Sequence, residues 1–279
     1  LYLSQAKIPF LTLIRTNCKE EKQVDFSKKT AIVTGGAQGI GRGIAEKLSF
    51  LGATVVIADI GESQGMSLAA LLSGQGADVR FIKTNMKDHE AVHQMVDQAA
   101  GINGTIDILV NCAGVLCEDA LLEDQPIEVW DHVMGVNLNG AFYSCKYVLK
   151  YMHQQKNGSI INISSTAAIA VSSMDPPYAV SKTALLGLTR SIAYDYSKLG
   201  VRCNAICPAS TMTTMVSEYL QTLPADVAQD HQERWLRNIP MGRLGTVEDI
   251  AEAVAFLASP ASSFITGVAL PVDGGLCAV

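Results

Sequence analysis

The sequence predicts an α/β fold: a single domain built on a doubly wound, seven-stranded parallel sheet with helices on both faces. Three observations predict it. From Lys29 onward, short apolar runs rich in β-branched residues alternate with longer stretches of helical period. Those short runs are continuously apolar, the pattern of strands buried on both faces, and their alternation with helices implies parallel pairing. No internal repeat and no Pro/Gly/Ser linker divides residues 27–279, so they are expected to form one domain after an extension over residues 1–26.

In chain order the expected strands are Thr30–Thr34, Thr54–Ala58, Val79–Ile82, Ile106–Val110, Ser159–Ser164, Val201–Ile206 and Gly267–Val272. Helical periodicity covers Ile40–Leu51, Glu90–Ala99, Ile127–Met152, Ala179–Ser197 and Val247–Ala258. The last of these carries a capping signal, Thr246 with Asp249 three residues later. Pro208–Gly245 holds only broken helical pieces and follows the carboxyl end of a strand, where open α/β sheets bind ligands. Residues 209–245 are therefore the expected substrate lid. Met212, Met215, Tyr219, Leu220 and Trp235 are its candidate pocket residues, although residues of these types are more often core than substrate contacts.

Composition narrows the function. With 279 residues, 48% hydrophobic and 17% charged, the chain is neither disordered nor fibrous. A formal charge of −6 gives no electrostatic reason to bind nucleic acid or an anionic membrane, and no apolar run is long enough to span a bilayer. Seven cysteines, an odd count with no CxxC pair, indicate neither a disulfide framework nor a zinc ribbon; they point to a reducing, intracellular, cytoplasmic setting. Leu1–Lys19 is apolar with Lys7, Arg15 and Lys19 and no acid, which resembles a transit peptide as much as an ordinary arm.

The first strand runs into Thr34-Gly35-Gly36-Ala37-Gln38-Gly39-Ile40-Gly41, and helical period begins at once. Glycines at such a turn let the backbone approach a pyrophosphate, and the helix that follows aims its free N–H groups and positive dipole end at the phosphates. Strand, glycine turn and helix in that order make a Rossmann-type dinucleotide site, with Gly35, Gln38, Gly39, Ile40 and Gly41 as candidate contacts. The second strand ends at Asp59, 18 residues beyond Gly41. An acid there bonds ribose hydroxyls and repels an extra phosphate. No Lys or Arg at Gly36, Ala37, Gln38 or Ile60 offsets that repulsion, and Arg42 faces away from the turn, so NAD is expected rather than NADP.

His89-Glu90-Ala91-Val92-His93 is a literal HExxH, the zinc-protease pattern. It opens a helix whose Val92, Met95, Val96 and Ala99 read as ordinary packing onto the sheet, so no metal is expected.

Tyr178 and Lys182 stand at i and i+4, one turn apart on one helical face. A phenol ionises near pH 10, so a base working near neutrality needs about 4 kcal/mol of help. A lysine ammonium and the positive nicotinamide of an oxidised cofactor are suited to supply it.

Taken together, residues 29–276 resemble the classical short-chain dehydrogenases/reductases. The resemblance rests on the glycine turn, Asn111-Cys112-Ala113-Gly114 after the fourth strand, Asn137 in Val136-Asn137-Leu138-Asn139-Gly140, and Ile163-Ser164-Ser165 thirteen residues before Tyr178. Lys182, Asn204–Pro208, Ile265-Thr266-Gly267 and Val272-Asp273-Gly274-Gly275 complete it. It implies Tyr178 as general acid/base and Ser165 as the group bonding the substrate oxygen. It implies Lys182 lowering the phenol pKa and holding the nicotinamide ribose, and Asn137 keeping a water in a proton relay. Asn111, Ala113 and Gly114 would lie along the adenosine side, Asn85 and Met86 near adenine, and Pro208, Thr211 and Thr213 at the nicotinamide end. Two positions depart from the family pattern: Asn85 replaces the usual aspartate, and Ala209 replaces the glycine after Pro208. The implied activity is NAD-dependent oxidation of a secondary alcohol, or the reverse, on a small-molecule substrate in a homotetramer. A 3-oxoacyl-carrier-protein reductase is the nearest alternative; that group usually prefers NADPH and has a basic residue near the turn. A catalytically silent nucleotide-binding scaffold is the alternative of another class.

Overall fold

A computed structural model describes residues 24–170 and 175–278. Seven parallel strands form one sheet: β1 Thr30–Thr34, β2 Thr54–Asp59, β3 Val79–Lys83, β4 Ile108–Asn111, β5 Gly158–Ile163, β6 Val201–Pro208 and β7 Ala269–Val272. Their order across the sheet is β3-β2-β1-β4-β5-β6-β7. The order reverses between β1 and β4, whose carboxyl ends, Thr34 and Asn111, stand opposite each other in register. That reversal opens the crevice where doubly wound sheets take their ligands.

The helices are α1 Gly39–Phe50, α2 Glu62–Gly74, α3 His89–Asn103, α4 Ile127–Met134, α5 Gly140–Gln155, α6 Pro176–Tyr196, α7 Thr214–Thr222, α8 Ala225–Asn238 and α9 Val247–Ala258. Strand side chains alternate between two cores because successive residues point to opposite faces. Ala31, Val33, Val55 and Ile57 pack with α1, α2 and α9 through residues such as Ile44, Leu68 and Val254. Ile32, Val56 and Leu109 pack with α3, α5 and α6 through Val96, Val148 and Ile192. Both faces are thus covered, which is why the strands read as unbroken apolar runs.

Three local differences from the sequence reading have physical causes. The helix expected over Ile127–Met152 is interrupted by a wider, π-type turn over Gly135–Asn139. β4 starts at Ile108 rather than Ile106, because the Gln155 amide takes both the Ile106 N–H and its carbonyl, each at 2.9 Å. Helix α2, which the periodicity did not single out, buries Leu68 and Leu72 but exposes Met66 and Leu71, so it carries no single apolar stripe. The capping box expected at α9 is present in full: Thr246 accepts from the Asp249 N–H and the Asp249 carboxylate accepts from the Thr246 N–H. The expected lid, 209–245, contains α7 and α8, and a parallel bridge between Thr211 and Gly245 ties its two ends together.

Candidate active site

β1 delivers the chain into the glycine turn at the crevice. Gly35 has φ of 65°, and a Cβ there would lie 2.7 Å from the Ala113 Cα, so only glycine lets this turn close on the loop after β4. Gly39 also has positive φ, but a Cβ on it would meet nothing nearer than Thr213 at 3.7 Å. The start of α1 is therefore open toward Thr213, and Gln38 makes no side-chain cap, which leaves the first N–H groups of the helix for a ligand. Asp59, at the end of β2, accepts from Ala37 N at 3.0 Å and Gly61 N at 2.9 Å. It fixes the turn and still has lone pairs to offer. Arg42 bonds Glu46 along the helix at 2.8 Å. This is a cradle of the right chemistry for a dinucleotide pyrophosphate and ribose.

Across the crevice, Thr34 Oγ1 accepts from Cys112 N at 3.1 Å and Ala113 N at 3.2 Å, pinning the loop after β4 to β1. Asn137, in the wide turn, holds the next residue on both sides: its Oδ1 accepts from Val115 N at 2.8 Å and its Nδ2 donates to Val115 O at 3.1 Å. The same Nδ2 reaches Ser181 Oγ at 3.1 Å, and Ser181 donates to Tyr178 O at 2.7 Å. A Cβ on Gly114 would sit 3.3 Å from Lys182 Nζ and 3.4 Å from Asn137 Oδ1, so the glycine brings loop, amide and ammonium together.

The structure gathers Ser165, Tyr178 and Lys182 at the head of α6. Ser165 hydrogen-bonds the Tyr178 phenol and accepts from Ala167 N at 3.1 Å. The neighbouring Ser164 is buried and donates to Lys182 O at 2.8 Å, so it anchors the helix and does not face the phenol. Lys182 lies with its Nζ 5.6 Å from the Tyr178 ring centre and donates to Ile163 O at 2.9 Å. Burial pushes the two groups in opposite directions. The phenol rises to about 12, chiefly by burial against the lowering bond from Ser165, with Asp175 adding to the rise. The ammonium falls to about 8 by burial. Both are neutral forms favoured by a dry site. An added positive charge beside the phenol is what such a site needs to make a base.

The family model described as enoyl-(acyl carrier protein) reductase matches residues 35–277. A cis-4-hydroxycyclohexanecarboxylate dehydrogenase of Sinomonas cyclohexanicum is 36% identical over 254 residues, covering 91% of this chain and 98% of that protein. A 3-oxoacyl-(acyl-carrier-protein) reductase of Chlamydia pneumoniae is 36% identical over 248 residues, 89% of this chain and 96% of its own. The crystal structure of levodione reductase superposes with a TM-score of 0.87 at 30% identity, covering 91% of this chain and 99% of the other. The chain belongs to the short-chain dehydrogenase/reductase family.

As a member of that family it is an oxidoreductase that moves hydride between a nicotinamide cofactor and an alcohol or ketone. Several expected cofactor residues sit differently from their simplest reading. Asn111 points its amide into the protein, donating to Asn162 Oδ1 at 2.8 Å and Cys145 Sγ at 3.3 Å. Asn162 in turn donates to Thr189 Oγ1 at 2.8 Å, a buried polar ladder linking β4, β5 and α6 that the motif reading missed. Its only sequence signal is a polar residue inside an otherwise apolar strand. Met86 is buried in the core beneath Gly140, leaving only its main chain for the crevice. Asn85 is exposed and caps its own turn by accepting from Lys87 N at 3.1 Å. Pro208 ends β6, and Thr211 is buried with its hydroxyl on Ala209 O. Thr213 caps α7 and faces Gly39.

Among the described non-glycine residues only Lys28 and Lys156 have positive φ, so Ala209 occupies the family's glycine position without left-handed strain. Of the candidate pocket residues, Leu220 is buried, Trp235 is half-buried and Met212 is exposed, while the side chains of Met215 and Tyr219 lie outside the described residues. The HExxH pair is explained by packing. His93 stacks on Tyr147 with centres 4.3 Å apart, and His89 meets Tyr143 edge to face at 5.8 Å. Among the described residues, no cluster of three metal-ligating side chains occurs. No described helix is long and apolar enough to cross a membrane.

Proposed function

We propose that this chain is an NAD-dependent dehydrogenase/reductase for secondary alcohols and their ketones, with Asn137, Ser165, Tyr178 and Lys182 as its working residues. One observation carries the cofactor choice: Asp59 presents a carboxylate at the edge of the glycine turn, and the nearest base in sequence, Arg42, is engaged by Glu46. A carboxylate there favours two ribose hydroxyls over a phosphate. Gly35, Gln38, Gly39, Ile40 and Gly41 would hold the pyrophosphate. Ala113, Gly114 and the main chain at Asn85, Met86 and Asn111 would line the adenosine side, and Pro208, Thr211 and Thr213 the nicotinamide side.

When bound, the nicotinamide supplies the hydride acceptor in oxidation and the donor in reduction. In oxidation Tyr178 takes the hydroxyl proton, and in reduction it returns one to the carbonyl oxygen. Ser165, already bonded to the phenol, shares the substrate oxygen and stabilises its developing charge. Lys182 supplies positive charge beside the phenol and binds the nicotinamide ribose. The Asn137 side chain is spent on Val115 and Ser181, so a relay water would rest on the main chain of the wide turn, the kind of distortion common at functional sites. Residues 27–279 form one domain, residues 209–245 act as its lid, and the enzyme assembles as a homotetramer through its long helices and C-terminal segment.

The test is nicotinamide absorbance with NAD and NADP in parallel over cyclic, steroidal, sugar and short linear alcohols. The neutral ring compound named for levodione reductase is a natural first choice, and the ring carboxylate named for the Sinomonas enzyme is its charged counterpart. Turnover with NAD is the expected result. Activity confined to NADP would overturn the role given to Asp59 and favour the carrier-protein reductase reading.

A further inference from the structure

We infer that the mouth of this site selects a compact apolar alcohol or ketone that carries no anionic group. The inference rests on the hydride-transfer function proposed above and concerns the loop between β4 and α4. That loop is tied to the site by two contacts and braced within itself by a third. Asn137 holds Val115 on both sides, the Cys117 thiol bonds the Tyr178 main chain, and Gln125 Nε2 donates to Glu118 O at 3.3 Å and Ala120 O at 3.4 Å. Asp119 and Asp175 lie close enough to Cys117 to act on its thiol.

The exposed side chains of this loop are of two kinds. Leu116, Leu121 and Leu122 are apolar and open to solvent, and Ile169 after β5 and Met212 at the lid's base are exposed in the same way. These exposed apolar side chains stand on the loops that follow β4, β5 and β6, at the carboxyl end of the sheet where the site lies, and an exposed apolar surface there fits an apolar ligand. The others are acids: Glu118, Asp119, Glu123 and Asp124, with no Lys or Arg anywhere from residue 113 to 126. Residues 166–170 and 175–178 add Asp175 and again no base. Of the cations nearby, Lys182 is buried and donates to Ile163 O, and Arg243 is turned onto Asp249 at 2.6 Å. By sequence, residues 209–245 hold three arginines and four acids, so they bring no net positive charge.

A carboxylate or a phosphate-bearing carrier passing this acidic loop meets like charge, whose reach is a screening length of about 8 Å at physiological salt. The loop itself offers no cation to offset its desolvation. A neutral ring loses nothing on entry and gains the apolar rim.

The experiment compares two ketones of similar shape, 4-methylcyclohexanone and 4-oxocyclohexanecarboxylate, as substrates for NADH-driven reduction, reading the ratio of their kcat/KM values. The expected ratio favours the neutral ketone by about tenfold or more, a scale set by like-charge repulsion at a partly desolvated rim. The ratio should shrink in high salt, where the screening length falls to about 3 Å. It should shrink again in the double variant Glu118→Lys, Asp119→Lys. Because the ratio is taken within each protein, general damage to the variant cancels, and the salt series on the unaltered enzyme needs no variant at all. Equal or better use of the carboxylate, or a neutral preference that neither salt nor charge reversal moves, would overturn the inference while leaving the hydride-transfer function standing. Failure to reduce either ketone with NADH or NADPH, together with silence on the wider alcohol panel, would overturn that function and the inference with it.

Discussion

Replacing Lys182 by methionine should damage catalysis and improve stability at once. The ammonium lies 5.6 Å from the Tyr178 ring centre. At an effective dielectric of about 20, a unit charge at that range is worth about 3 kcal/mol to a phenolate. Losing it raises the pKa of the base by about two units, so kcat/KM for alcohol oxidation near neutral pH falls about 100-fold. Activity should recover as pH rises, because the oxidation needs the phenol deprotonated. Stability moves the other way. Burial lowers the Lys182 pKa from 10.5 to about 8 in the folded chain. Between those values the unfolded chain binds the extra proton, so stability rises with pH through that window, and below it the folded protein carries the whole cost, about 3 kcal/mol. Methionine removes that cost but leaves Ile163 O without its donor, a loss of about 1 kcal/mol. The variant should therefore melt about 5 °C higher at neutral pH without cofactor. The assay pairs a pH–rate profile with thermal melts. A variant that melts lower, or whose pH midpoint does not shift, would refute the reasoning.

Asp59→Ser should lower the NAD over NADP preference in kcat/KM by about tenfold or more through loss of the phosphate-repelling charge, and an unchanged ratio would show that the selectivity lies elsewhere. Asn162→Ala should cost about 2–3 kcal/mol in urea unfolding, because the Asn111 amide loses its acceptor and Thr189 its donor; a near-neutral result would deny the ladder its structural role. Thr246→Ala should cost about 1 kcal/mol by removing the α9 cap. Arg243 and the turn N–H hold the Asp249 carboxyl well below the usual carboxylate range, so its contribution is present at neutral pH and is lost as pH falls below the ordinary value of 3.8; the gap between Thr246→Ala and the parent should be measured on both sides of that value.

The strands were legible because the sheet is buried on both faces. β1 and α9 begin and end where their apolar runs and caps begin and end, at Thr30–Thr34 and Val247–Ala258. The candidate residues Ser165, Tyr178 and Lys182 could be singled out because they fall just after the carboxyl end of β5 and on the helix that follows, while Asn137 sits in the wide turn between α4 and α5. What stayed hidden depended on side-chain direction and local pairing. Nothing in the spacing tells that Asn111 turns inward to Asn162, that Met86 faces the core, or that Gln155 cuts β4 short by bonding Ile106. Ser181, which ties Asn137 to Tyr178, was passed over because a serine on a helix gives no signal until its burial is known. Helix α2 escaped because its leucines are divided between core and solvent.

The measurement that tests the central claim most directly is a single-turnover comparison of Tyr178→Phe with the parent enzyme, using NADH and a reducible ketone, alongside NAD binding by calorimetry. The account predicts that the variant still binds NAD but transfers hydride slower by about 100-fold to 10,000-fold, the usual worth of a positioned acid. Hydride transfer at close to the parent rate, with cofactor binding intact, would contradict it.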